Sequence, residues 1–430
     1  MDENLINNTA LKNGIRILSK QIPNVRSVSM GVWVDVGARD ESLEENGLSH
    51  LIEHMIFKGT KRRNAFQIAK EFDAIGGHSN AFTSMENTCF HAKVLDSHTH
   101  TMIDILSDIF LNSVFDETEI EKERPVILQE IGMVEDSPDE YIHVLSGNAY
   151  WGDNPLGRSI LGSRENIVSF GPEAVKSFFN RFYRPDRIVI SAAGNIDHAW
   201  FVDKLEAPFK AVEQNTEQFE RVTPEGLSTV DLHHRELELA HICIGTRGLS
   251  ITDPRRYEFS LLSTILGGNM SSRLFQEIRE RRGLAYSVYS FVNSYFDTGM
   301  FGVYAGVDHA RATECIDVTI KELRKMSSQR VTTSELTNAK EHTKGNLLLS
   351  AESVDNHMVR LAQTDIHFGR YIPIQEVIEK IEAVTTDDIL AVAESLFQSE
   401  DYALTILGPV DNKSDYENLH FVKNSGINPV

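Results

Sequence analysis

The run Gly47-Leu48-Ser49-His50-Leu51-Ile52-Glu53-His54 places two imidazoles and a carboxylate where a metal and a general base can work together. It reads HxxEH, the reverse of the zinc-protease HExxH. On a helix, His50 and His54 are four residues apart and stack one turn above the other, close enough for both to hold one ion, and Glu53 projects from the same face. Leu48, Leu51, Ile52, Met55 and Ile56 form a broad apolar surface opposite, which would anchor the helix and turn its polar face toward a cleft. So short a pattern also arises by chance, and buried histidines commonly serve ordinary hydrogen bonds. A third ligand separates the two readings, because a catalytic zinc takes three protein donors and keeps a position for water.

A candidate lies downstream. Asp116-Glu117-Thr118-Glu119 has the form of an N-cap followed by an acidic residue at the third helical position, and it opens the segment from Ile120 to Val134. Within it Glu123 and Glu130 are two turns apart and share a face. One of them can ligate a metal while the other hydrogen-bonds a ligating histidine from behind.

On these residues the sequence resembles the pitrilysin, insulysin and mitochondrial processing peptidase family, the inverted zincins, and most of all its bacterial processing-peptidase-like members. There HxxEH is followed about 75 residues later by a glutamate inside an acidic helix, and the residue at that distance here is Glu130. The resemblance implies that His50, His54 and Glu130 bind zinc, one ion per chain. It implies that Glu53 takes a proton from the attacking water, and that Glu123 is the accessory glutamate behind the ligands. Pro125 departs from the pattern: it removes a backbone donor and should kink the helix between the two glutamates.

The composition suits a large enzyme. With 430 residues, 41% of them hydrophobic, the chain exceeds what one ordinary core uses, so two domains are expected. No apolar run approaches the roughly 20 residues of a membrane span. The start Met1-Asp2-Glu3-Asn4 is acidic and unlike a secretory signal or an Arg-rich transit peptide, so the expected location is the cytoplasm, of bacterial type, unless a leader precedes this sequence. Cys89, Cys243 and Cys315 cannot all pair and lack metal-like spacing, which fits a reducing compartment. A net charge of −21 disfavours nucleic acid and anionic membrane and favours basic peptides, although acidity also serves simple solubility.

The chain also reads as duplicated. Phe115-Asp116-Glu117-Thr118-Glu119-Ile120 has a counterpart in Val331-Thr332-Thr333-Ser334-Glu335-Leu336, about 216 residues on, and later pairs keep the offset. Val168 to Glu173 leads a helix and then the strand Arg187 to Gly194, as Val384 to Ile389 leads another before Tyr402 to Gly408. The polar stretch 213–223 reads as a linker, giving a metal-bearing lobe over 1–212 and a second lobe over 224–430. Alternating segments such as Ser27 to Val36, Ala240 to Gly245 and Gly299 to Ala305 are strands. The expected fold is α+β: two similar lobes, each a mainly antiparallel sheet packed with helices. The positions corresponding to His50 and Glu130 fall near Leu261 and Leu262 and near Asn346, so the second lobe carries no ligand set.

That lobe holds Leu266-Gly267-Gly268-Asn269-Met270-Ser271-Ser272-Arg273, which is no P-loop because no GK[ST] follows. The stretch from Glu277 to Ser287 again resembles the processing peptidases, in which an arginine and a tyrosine matching Arg279 and Tyr286 contact the bound peptide. By pattern alone these two are a surface pair. Gly76 to Glu86 runs from a turn into an extended segment. By pattern it is a buried strand, but by the resemblance Asn80, Ala81 and Phe82 form an edge strand to which a peptide substrate adds. Family members with four lobes in one chain are about twice this length, and shorter chains pair. The resemblance therefore implies a homodimer or heterodimer with composite sites. It points to a zinc metalloendopeptidase acting on unfolded peptides or presequences. The alternatives are a non-catalytic peptide-binding or structural subunit of the same family, or a metal enzyme acting on a small molecule.

Overall fold

The computed structural model of the chain describes residues 6–214, 220–399, 401–410 and 416. Its strands are β1 (Ile6–Ala10), β2 (Arg16–Gln21), β3 (Ser27–Val34), β4 (His78–Thr83), β5 (Thr88–Leu95), β6 (Ile188–Gly194), β7 (Val230–His234), β8 (Ala240–Arg247), β9 (Ala285–Ser294), β10 (Gly299–Val307) and β11 (Ala403–Gly408). One sheet has the order β1, β2, β6, β3, β5, β4 and the other β7, β11, β8, β10, β9. Neighbours are antiparallel except β2 with β6 and β7 with β11. Helices cover both sheets, and the fold is α+β with two similar lobes. Once β1 is set aside, the two orders and their strand directions match step for step. Internal duplication accounts for that match directly.

The alternation of β3 explains why it lies inside its sheet. Val28, Met30, Val32 and Val34 point into a core shared with Leu51, Ile52, Ile105, Phe110 and Phe178, while Trp33 faces the opposite way. On that second face helix Val354–Phe368 lies against β2, β3 and β6, with Met358, Leu361 and Ala362 packed on Leu18, Trp33, Val189 and Ala193. Gly31 makes the approach possible, since a Cβ there would lie 2.6 Å from Met358 Sδ.

The chain forms two compact units that interleave along the sequence. The first takes Met1–Gly132, Arg158–Arg221 and Leu349–Pro373, and the second Met133–Gly157, Val222–Leu348 and Ile374–Val430. Each half of the chain thus gives a helical segment to the other unit, and the two segments lie about 216 positions apart, the offset of the repeat. In the second unit helix Pro138–Trp151 places Ile142 and Leu145 against Cys243, Tyr304 and Leu407, the counterpart of the Val354–Phe368 contact in the first. Among the described residues, no helix is long and apolar enough to cross a membrane.

Candidate metal centre

Residues Leu48–Met55 form the helix that the HxxEH spacing predicts. Leu48, Leu51, Ile52 and Met55, at i, i+3, i+4 and i+7, are buried in the core of the first unit, so the helix is held along one stripe and presents His50, Glu53 and His54 on the other. Truncating one such leucine to alanine costs roughly 2–5 kcal/mol, so this mounting is firm.

The acidic helix runs over Glu117–Asp136. Asp116 caps it as expected, its Oδ1 accepting the N–H of Thr118 at 2.9 Å and of Glu119 at 3.3 Å. The helix continues through Pro125, and both glutamates still reach the histidines. Glu130 Oε2 lies 3.6 Å from His50 Nε2 and 3.5 Å from His54 Nε2. His50, His54 and Glu130 make up the metal-capable group found among the described residues, with one donor atom from each and all within 4.8 Å of one another. Glu123 Oε2 sits 3.0 Å from His54 Nδ1, leaving Nε2 of that ring free to turn to the centre. Lys58 closes on the other oxygen of Glu123.

The electrostatics favour ligation. Burial, reinforced by the neighbouring His54, pushes the His50 imidazole down to about 4, so it stays neutral and keeps a lone pair to donate. Burial works against the Glu123 carboxylate, but Lys58 and His54 hold it below the usual carboxylate range. Burial also raises the Glu53 carboxyl, and a hydrogen bond from Thr83 Oγ1 to Glu53 Oε2 at 2.6 Å opposes that rise. Two imidazoles and a carboxylate, with one ring oriented by a second carboxylate, are a donor set that fits zinc.

Asn80, Ala81 and Phe82 lie in β4, which ends its sheet and, among the described residues, pairs with β5 alone. The strand is therefore an edge and not the buried strand that its pattern alone suggests. Ala81 packs toward the core, while Phe82 turns the other way, edge-on to Trp33 at 5.4 Å. In the second unit Arg279 lies in the last turn of the wide helical segment Phe275–Glu280, and its guanidinium stacks on Phe275 at 4.9 Å and Tyr286 at 5.0 Å. Tyr286 is the second residue of β9, an edge strand of its sheet, and is 79% exposed. Residues near the counterpart of His50 are the buried Leu261 and Leu262, and Asn346 stands on helix Thr333–Ser350 where Glu130 stands on its own.

Sequence reasoning passed over Thr83 and Lys58. Lys58 follows His54 by four residues, a spacing that could have placed it beside the same ring. Thr83 follows Phe82 on the edge strand, and the alternation of strand faces could have turned it toward the HxxEH helix.

Residues 16–164 match the family described as Insulinase (Peptidase family M16), and residues 169–342 match the Peptidase M16 inactive domain. A Bacillus subtilis (strain 168) protein named uncharacterized zinc protease YmxG is 42% identical over 409 residues, which span 95% of this chain and 99% of that one. An uncharacterized zinc protease of Rickettsia felis is 39% identical, over 96% of this chain and 99% of its own. The crystal structure of a protease from Helicobacter pylori shares the fold, with a TM-score of 0.85 at 21% identity over 94% of this chain and 99% of that chain. An M16 inactive-domain structure from Pseudomonas fluorescens does so at TM-score 0.89 and 15% identity, over 94% and 98%. The first match carries the peptidase description and the second the inactive-domain description, and the chain belongs to peptidase family M16, the pitrilysin family.

Proposed function

We propose that the protein is a zinc-dependent endopeptidase that hydrolyses unfolded peptides or presequences, with Glu53 as general base. The observation that carries this reading is the convergence of His50, His54 and Glu130 beside a partly buried Glu53 on one helix face. His50, His54 and Glu130 hold one ion per chain, and Glu123 orients His54 from behind. When bound, zinc supplies a Lewis acid for the peptide carbonyl and makes an attacking water more acidic. Glu53 accepts the proton of that water and passes it to the leaving amine. The substrate lies along β4, taking backbone hydrogen bonds from the strand that carries Asn80, Ala81 and Phe82. Arg279 and Tyr286 donate to the carbonyl oxygen as negative charge develops on it.

The two repeats are assigned to 1–212, the catalytic lobe, and 224–430, the substrate-contacting lobe, joined by 213–223, of which 215–219 lie outside the described residues. The active form is a dimer, a homodimer or a heterodimer with a related chain, and its Arg279 and Tyr286 serve the partner's zinc. Three buried free cysteines suit the reducing cytoplasm, and the acidic charge favours basic peptides.

The test is metal content together with cleavage of an unstructured peptide by wild type and Glu53→Gln. Zinc uptake with cleavage that Glu53→Gln abolishes is expected. Zinc uptake without Glu53-dependent cleavage would favour a non-catalytic peptide-binding subunit. For the composite site, inactive His50→Ala and inactive Arg279→Ala proteins are mixed: recovered activity is expected, and none after subunit exchange places both groups in one chain.

A further inference from the structure

The helix that carries His50, Glu53 and His54 cannot cap itself. Its N-cap is Gly47, at φ 108°, where a side chain is strained. A Cβ at Gly47 would also lie 2.9 Å from Ile167 Cδ1, 3.0 Å from Gly162 Cα and 3.1 Å from Leu161 O, so no serine, asparagine or aspartate can take the position. The first turn of a helix nevertheless leaves backbone N–H groups that need acceptors, and here that turn is buried.

The acceptor comes from six residues upstream. Glu41 Oε1 takes the Ser49 N–H at 2.7 Å and Oε2 takes the Gly47 N–H at 2.8 Å, with Asn46 Nδ2 donating to Oε2 at 3.0 Å. Glu41 is 2% exposed. The cap is itself braced: Asn46 Nδ2 also donates to Ser159 O at 3.0 Å, and Arg158 Nη1 donates to the Glu41 carbonyl at 3.0 Å. Ser49, the residue whose N–H is capped, immediately precedes His50.

We propose that Glu41 is a positioning residue for the metal centre, capping the first turn of the HxxEH helix and thereby fixing where His50 presents its Nε2 relative to His54 and Glu130. The proposal rests on the reading that these three residues hold zinc. The two histidines depend on different supports. His54 is held by Glu123 at its own ring, whereas the first turn bearing His50 is held at the backbone by Glu41. Loss of the cap therefore frees the His50 leg and leaves the His54 leg in place. A ligand set with one loosened member binds its ion more weakly, by about 10–100-fold for changes in the layer behind the ligands.

The experiment measures the zinc dissociation constant of the full chain by competition with a chromophoric chelator, for wild type, Glu41→Ala and Glu41→Gln, with near-UV circular dichroism as the check of fold. Cobalt(II) absorption is recorded on the same proteins as a reporter of ligand geometry. Weaker zinc binding by about 10–100-fold and an altered cobalt spectrum are expected for Glu41→Ala. A smaller change is expected for Glu41→Gln, which keeps one acceptor oxygen. A natively folded Glu41→Ala with the wild-type dissociation constant and cobalt spectrum overturns the proposal. If the alanine protein does not fold, the nearly isosteric Glu41→Gln decides, and wild-type values in both measurements overturn it. A wild-type chain that takes up no zinc removes the functional reading and this proposal with it, whereas wild-type uptake matched by the variants overturns the proposal alone.

Discussion

Thr83 Oγ1 donates a hydrogen bond to Glu53 Oε2 at 2.6 Å, tying the edge strand β4 to the carboxylate of the HxxEH helix. The strand that would receive the peptide and the group that would receive the proton therefore hold each other in register. Thr83→Val removes the donor with little change of shape. We expect kcat to fall about tenfold with KM nearly unchanged, because the lost contact acts on the base and not on the bound peptide. Thr83→Ser should retain most of the activity, and a valine variant with wild-type kcat would remove Thr83 from the mechanism.

Glu123 should matter through the metal and not through the peptide. In Glu123→Ala the His54 ring loses the acceptor at its Nδ1 and Lys58 loses its carboxylate. Zinc retained after dialysis against a graded chelator series should fall, with affinity reduced about 10–100-fold. Retention equal to wild type would show that His54 needs no such support.

The edge strand makes a separate prediction about the substrate. Phe82 is 36% exposed and leans edge-on against the fully buried Trp33, so its ring is a fixed wall beside the open edge of β4. Phe82→Ala should raise KM several-fold for peptide substrates and leave kcat for saturating peptide within about threefold. The opposite pattern, an unchanged KM with kcat lost, would argue against a peptide lying along this strand.

The second unit offers a test by pH. Burial would raise the Glu335 carboxyl, but Arg273, held by its two nitrogens at 2.7 and 3.1 Å, and the Thr332 N–H bring it down to about 2. A carboxyl with a lowered folded-state value contributes stability that is fully present above its ordinary value of 4.5 and is lost as pH falls toward 2. Because the group is half open to solvent, the contribution is about 1–2 kcal/mol. Glu335→Gln should therefore lower the unfolding midpoint in urea at pH 7, with the gap from wild type closing as pH drops from 5 to 3. A gap of constant size across that range would mean that packing, and not charge, accounts for the loss.

Much of the site was legible because its members sit at helical spacings. His50, Glu53 and His54 share one helix face, and Glu123 and Glu130 share another, so periodicity alone put each set on a surface. Bringing the two sets together depended on family resemblance, since about 75 residues of chain intervene and no local rule spans them. The duplication was legible for the same reason as the motif, through a constant offset in cap and strand patterns. Where Pro138–Trp151 and Val354–Phe368 pack was not legible. Both β3 faces are apolar, through Val32 on one side and Trp33 on the other, so a helix with apolar residues such as Met358 and Leu361 fits several sheet faces equally well by pattern. Glu41 was missed because a carboxylate that caps a turn six residues away leaves no periodic trace.

The exchange of helical segments between the two halves sets a timetable for synthesis. As the chain leaves the ribosome at roughly 5–20 residues per second, all six strands of the first sheet are complete by Gly194, yet the helix that covers Leu18, Trp33 and Val189 ends only at Phe368. Throughout that interval one apolar face of the nascent first lobe has no covering helix, while Pro138–Trp151 waits for a sheet not yet translated. The arrangement makes the whole polypeptide, and not the lobe, the smallest unit that can finish folding, so the HxxEH helix belongs to a completed structure only after nearly all of the chain exists.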